Sequence, residues 1–344
     1  MNLEILNPLE YSEWDKALLA SGDNCFFHSS AWARVLHESY RFRPVYFASF
    51  EKGKLSCLMP FMEVNSWLTG RRGVSLPFTD YCPQLVPDRG AFQGTVKALF
   101  DFGARAGWKY VEWRDGEYFP EEVKSSDRYH THELNLTKTE KELFSGLRDS
   151  TRRNIRKAAR AGVVIEIHDT RESIDCFYRL HCITRKRHGL PPQPAAFFKK
   201  ISEHIVSKGQ GIVVLALHEG NAVASAVFFH FGNEGLYKYG ASDLVYQDLR
   251  PNNLLMWHAI KWYRDHGFQV LNFGRTEPKN NGLLQFKRGW GAEERTLKYY
   301  RYDLRKKGFV SASARLPGVH TQVLAKMPSP LLRLLGSLLY RHLA

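Results

Sequence analysis

The sequence predicts an α/β protein made of two similar domains in tandem. Three observations predict it: a length of 344 residues, an order of helices and strands that occurs twice, and a matching helix–glycine–strand junction in each half. A chain this long exceeds one ordinary core and suits two domains of about 150 residues. Hydrophobic residues at 44% and charged residues at 24% are ordinary for a folded chain, and 13% aromatic residues supply large side chains to bury. This composition excludes a disordered chain.

In the first half, helical periodicity near Tyr11–Leu19 and Ala31–Glu38 precedes apolar strands at Val45–Phe50 and Leu55–Glu63. A longer helix over Phe92–Ala106 stops at Gly107, and a strand follows at Lys109–Trp113. In the second half, helices at Arg171–Arg187 and Ala195–Ser207 precede strands at Ile212–His218, Ala222–Phe231 and Gly235–Ala241. The helix Asn252–Asp265 then stops at Gly267, before a strand at Gln269–Phe273. Each glycine stands where a helix end needs a left-handed residue. The repeat divides near Lys138–Leu147, which predicts domains at 1–142 and 143–304 and a basic tail at 305–344.

The net charge is +14, and from Leu304 onward there is no Asp or Glu. Arg305, Lys306, Lys307, Arg315, Lys326, Arg333 and Arg341 give the tail half of the excess. A basic surface favours a polyanionic partner: nucleic acid, anionic lipid or a phosphate-bearing substrate. The stretch Met1–Lys16 carries Glu4, Glu10, Glu13 and Asp15 and lacks a signal-peptide pattern. Cys25, Cys57, Cys82, Cys176 and Cys182 form no CxxC pair, so free thiols, no metal and a cytoplasmic location are expected.

Three segments can carry chemistry. In Leu147–Gly162, helical spacing puts Arg148, Arg152, Arg156 and Arg160 on one stripe, with Arg153 and Lys157 beside it and Leu147, Ile155 and Ala158 opposite. Such a face binds phosphate or is simply solvated. In Tyr237–Leu255, a strand exits through Tyr239 and Asp243 towards Arg250-Pro251-Asn252, where Pro251 suits the first position of a helix. A helix start after a strand can hold an anion, so Tyr239, Arg250 and Asn252 are candidates for substrate phosphates. In Leu271–Ala292, an apolar strand ends in a polar loop punctuated by glycine. Lys287 or Arg275 could stabilise negative charge on a carbonyl oxygen during acyl transfer. Glu277 or Asp243 could accept the proton of an attacking amine.

Phe273-Gly274-Arg275, followed by Phe286-Lys287-Arg288-Gly289-Trp290-Gly291, resembles the C-terminal signature of FemAB-like proteins and related GNAT-type acyltransferases. Arg152–Ala158 followed by Gly162-Val163, Tyr239-Gly240-Ala241-Ser242, Ser75-Leu76-Pro77-Phe78 and Tyr110–Arg114 look similar to the same group. The resemblance covers about residues 25–303 and implies two tandem GNAT-like (acyl-CoA N-acyltransferase) domains, each a mixed sheet flanked by helices. It further implies an acyl- or aminoacyl-transferase acting on an amine of a peptidoglycan, exopolysaccharide or other cell-envelope precursor, which can be lipid-linked. Lys287 matches the lysine that assists the transferring carbonyl, and Arg152, Arg153 and Arg156 match the basic residues that meet the precursor's phosphates. The donor would be an aminoacyl-tRNA or an acyl-CoA, with no tightly bound cofactor. Where GNAT enzymes place a glycine-rich turn for the pyrophosphate, this chain has Arg250-Pro251-Asn252-Asn253.

The tail segment Pro330–Leu343 reads as a leucine-rich basic helix, too short to span a bilayer and suited to an anionic membrane surface at the inner face, or to docking on a protein surface. A different class of function remains open: a GNAT scaffold without catalysis that binds RNA or an anionic membrane.

Overall fold

The computed structural model describes residues 2–22, 25–311 and 319–343. Arg315, counted above among the tail's charges, lies outside the described residues. The chain forms two compact units: Met1–His130 with Thr296–Ala314 and Tyr340–Ala344, and Thr131–Arg295 with Arg315–Leu339. Both are discontinuous, unlike the linear division expected at 142/143 and 304/305. Among the described residues no helix is long and apolar enough to cross a membrane.

In the first unit the strands Glu4–Leu6, Arg43–Glu51, Lys54–Ser66 and Gly70–Val74 pair antiparallel in that order. Gly70–Val74 then pairs parallel with Tyr110–Trp113, whose other edge takes the antiparallel stretch Tyr300–Asp303. The helix Ser30–Tyr40 starts on Ser29, whose hydroxyl accepts from Trp32 N, and Arg89–Arg105 starts on Asp88 in the same way. The latter turns Phe92 and Leu99 into a core with Phe47, Phe61, Trp108 and Trp113.

The second unit repeats this plan. Val164–His168, Gly211–His218, Asn221–Phe231 and Glu234–Ser242 pair antiparallel in order, and Glu234–Ser242 pairs parallel with Val270–Asn272. The other edge of Val270–Asn272 takes Glu133–Asn135, antiparallel. Thr170 caps the helix Arg171–Arg187, and Pro251 opens Pro251–Asp265 as expected, after Arg250 in a left-handed turn. Gly107 and Gly267 have φ of +71° and +80°, and a Cβ at either would meet open space. The left-handed backbone, not crowding, therefore requires glycine at both junctions.

In each unit the strand that completes the sheet comes from the other half of the chain, which is why contiguous domains do not describe it. The strands Gly70–Val74, Asp127–Asn135, Val164–His168 and Glu293–Asp303 are additions to the sequence reading. Two expectations need correction. The passage 271–292 is not all loop, because Asn281–Arg288 is a helix capped by Asn280, whose side chain accepts from Leu283 N. The basic helix is Asp149–Arg160, so Arg148 stands outside it at the N-cap.

The tail helix is Ser329–Leu339, followed by a 3-10 turn at Tyr340–His342. It packs on Arg171–Arg187, with Arg333 5.7 Å over the Tyr178 ring. A Cβ at Gly336 would lie 2.1 Å from Pro192 O, so glycine permits this close approach.

Candidate functional site

The site lies where the two parallel strands of the second unit part. Their ladder runs from Glu234↔Val270 to Leu236↔Asn272 and stops there. Glu234–Ser242 continues, paired from Tyr239 to Ser242 with Ala224–Val227 after a bulge at Tyr237/Tyr239. Parallel neighbours that separate at their C-terminal ends leave a crevice in which α/β proteins bind ligands. Asn272, buried, shapes the exit: its Oδ1 accepts from Gly274 N (2.8 Å) and Thr131 Oγ1 (3.2 Å), and its Nδ2 donates to Glu133 Oε1 (3.2 Å). Gly274 takes the left-handed turn, φ +65°.

The helix Asn281–Arg288 brings Lys287 to this exit. Lys287 is 2% exposed, and its Nζ donates to Gly274 O (2.8 Å) and Arg275 O (3.3 Å). These two carbonyls orient the buried ammonium. The following Gly289-Trp290-Gly291 passes against the start of the basic helix. Gly289 O accepts from Arg148 N (3.0 Å), a Cβ at Gly289 would lie 2.4 Å from Thr151 Oγ1, and one at Gly291 would lie 2.9 Å from Gly146 O. Trp290 is buried in the core with Phe273 and Leu147. The structure thus brings together the Lys287 motif, the 273–275 turn and the beginning of the basic helix.

His132, fully buried, completes the site. Its Nε2 lies 2.9 Å from Glu294 Oε2, and Glu294 also accepts from Arg288 Nε (2.6 Å) and Nη2 (2.8 Å). Burial lowers the His132 pKa, the Lys287 charge lowers it further, and Glu294 opposes both. His132, Glu294, Asn272 and Glu133 were not expected from the sequence. The His130-Thr131-His132-Glu133-Leu134-Asn135 run is the one local signal, and it acquires meaning only once paired with Val270–Asn272.

Arg152 donates to Ser145 O (3.1 Å) and pairs with Asp149, and Arg156 lies 5.5 Å over the Phe144 ring. Arg153, Arg156, Lys157 and Arg160 are exposed. Asp243 accepts from Val245 N (3.0 Å) and so caps the 3-10 turn Leu244–Leu249. Tyr239, half-buried, packs among Phe197, Phe198 and His181. Arg250 is the left-handed residue before Pro251, and Asn252 is half-buried in the first helical turn. Arg275 is half-buried beside the Lys287 carbonyls, and Glu277 is exposed.

Residues 145–288 match the acetyltransferase (GNAT) domain family. Over 99 residues the chain is 33% identical to a lipid II:glycine glycyltransferase of Staphylococcus haemolyticus (strain JCSC1435), covering 27% of this chain and 24% of that protein. The fold is similar to the crystal structure of FemX, with a TM-score of 0.71, 15% identity, and 89% of this chain and 98% of that one covered. It is also similar to a tandem GNAT protein from the clavulanic acid biosynthesis pathway, with a TM-score of 0.55, 11% identity, and 88% and 98% covered.

Proposed function

We propose that this FemAB-like chain of the GNAT fold is an acyl- or aminoacyl-transferase acting on an amine of a cell-envelope precursor. The observation that carries the reading is Lys287, a buried ammonium held at the carboxyl end of Val270–Asn272. When an amine attacks the donor carbonyl, negative charge grows on its oxygen, and a pre-set cation in a low-dielectric crevice stabilises it. A C–N bond forms and the donor's ester or thioester bond breaks. The amine's proton passes to a carboxylate, with Glu277 or Asp243 as the acceptor, and from there to the departing hydroxyl or thiol of the donor. Of the two, Glu277 fits better, because Asp243 already serves as a cap.

The donor is an aminoacyl-tRNA in preference to acyl-CoA, since Arg250–Asn253 offers no glycine and Pro251 no N–H to a pyrophosphate. Arg153 and Arg156 would take phosphates of a lipid-linked acceptor such as the lipid II of the staphylococcal relative's name. Such an acceptor suits work at the inner membrane face, with the exposed Leu331, Leu334 and Leu338 of the tail helix against the lipid. The exposed basic helix also favours a second reading, a scaffold that binds RNA without catalysis.

Thermal unfolding with saturating acetyl-coenzyme A, compared with an aminoacylated tRNA mixture, tests the donor. A ligand at 100 times its Kd stabilises by about 2.7 kcal/mol. A shift with charged tRNA, together with transfer of its amino acid to a lipid II acceptor, supports the proposal. A shift with charged and uncharged tRNA alike and no transfer sinks it in favour of RNA binding.

A further inference from the structure

The hairpin between Lys54–Ser66 and Gly70–Val74 turns through Trp67-Leu68-Thr69. Trp67 is 84% exposed and Leu68 55%, while every other tryptophan of the chain is buried or half-buried. An indole left in water at a loop tip forgoes a large burial gain, so the tip's rigidity is informative. Ser66 Oγ bonds His342 Nδ1 (2.8 Å), and Thr69 N donates to Ser66 Oγ (3.0 Å). Arg72, 1% exposed, donates to Thr69 Oγ1 (2.6 Å) and His342 O (2.9 Å). The Trp67 ring meets the His342 ring edge-on at 5.4 Å. The last turn of the chain therefore splints the hairpin and presents Leu343, 58% exposed, after it.

Basic side chains gather near the tip. Arg71 and Arg341 are exposed, and Lys109 Nζ reaches over Gly70 to Thr69 O (3.2 Å). Neither Ser66–Val74 nor the chain from Leu304 onward contains an acidic residue.

We propose that Trp67 and Leu68, with Leu343, form a wedge that enters the surface of an anionic bilayer, held there by Arg71, Lys109 and Arg341. Indoles settle at headgroup level, and apolar burial adds to attraction for anionic lipid. A protein partner is disfavoured by size, because a stable protein interface buries about 800 Å² per side, far more than a tip of three side chains provides. The wedge goes beyond the transferase reading, since lipid binding is measured without any acyl transfer.

Flotation with vesicles of phosphatidylcholine containing about a third phosphatidylglycerol, against pure phosphatidylcholine, tests it. The intact chain binds the anionic vesicles and weakens as salt rises. Trp67→Ser with Leu68→Ser weakens binding about tenfold or more at an unchanged thermal midpoint, and Trp67→Phe restores most of it. Leu68→Ser alone, which leaves the Trp67–His342 contact intact, weakens binding in the same direction. Undiminished binding by the double variant overturns the wedge while sparing the tail helix as a lipid contact. No binding by the intact chain overturns both. A dimer in solution that the double substitution dissociates, without lipid binding, assigns the tip to a second copy and also overturns the proposal.

Discussion

Tyr110–Trp113 and Val270–Asn272 are equivalent strands: each follows a left-handed glycine and each has one parallel neighbour. Their charged surroundings differ. In the first unit Glu112 is buried against Arg114 (3.3 Å) and Arg301 (2.6 Å), with Arg301 4.6 Å over the Tyr110 ring. Burial alone would raise the Glu112 pKa, but the two guanidiniums outweigh it and hold the carboxyl below its ordinary value. In the second unit the buried charge is an ammonium, Lys287, which donates to the Gly274 and Arg275 carbonyls. A carboxylate saturated by guanidiniums is a fixed structural element, whereas a cation oriented by carbonyls can still stabilise charge on a ligand. The first strand end thus carries a carboxylate between two guanidiniums, and the second an ammonium.

The largest expected effect breaks the first side of this comparison. Glu112→Ala leaves the buried Arg114 and the half-buried Arg301 without this counter-charge and should cost about 3–5 kcal/mol in urea unfolding. A loss under about 1 kcal/mol would mean that the cluster is not structural. Lys287→Ala should instead lower turnover by about 10²–10³, with a smaller stability loss of about 1–3 kcal/mol from the unpaired carbonyls. Equal turnover in variant and parent would remove Lys287 from the reaction.

Acid should test the units through their buried imidazoles. Burial takes His28 in the first unit down to about 4 and His181 in the second to about 3, both from 6.5. Their folded values lie below the unfolded one, so both cost nothing above pH 6.5. Stability then falls as pH drops from 6.5 towards the folded values, by about 2 kcal/mol for each group at pH 5. Urea midpoints measured from pH 7 to pH 5 should show this decline, and His181→Gln should flatten it. A slope unchanged by that substitution would contradict the assignment.

Smaller effects separate crowding from backbone conformation. Gly289→Ala puts a Cβ 2.4 Å from Thr151 Oγ1 and should cost about 1–3 kcal/mol, partly relieved by Thr151→Ala. Gly107→Ala meets no neighbour and should cost only about 1 kcal/mol, for its left-handed φ. A double-mutant cycle of Gly289 and Thr151 that is strictly additive would show that the two do not crowd.

Much of this was legible along the chain. Arg171–Arg187 has the expected limits, Pro251 opens its helix, and Gly107 and Gly267 stop theirs, because periodicity, caps and left-handed glycines act over a few residues. The motif around Lys287 stood out by its polar residues after an apolar strand and by its resemblance to FemAB-like proteins, although its Asn280-Asn281-Gly282 opening reads as a loop and is a helix start. What tertiary structure alone decided is which distant residues meet. A strand such as Asp127–Asn135 carries little local signal and exists through its partner, Val270–Asn272. His132 and Glu294 are 162 positions apart, and His342 reaches Ser66 across 276. Sequence by itself set most helices, the order that recurs in the two halves and the basic tail, since those depend on neighbours in the chain. The exchange of strands, the His132–Glu294 contact and the splinted hairpin depend on burial and pairing across the chain, which only folding brings about.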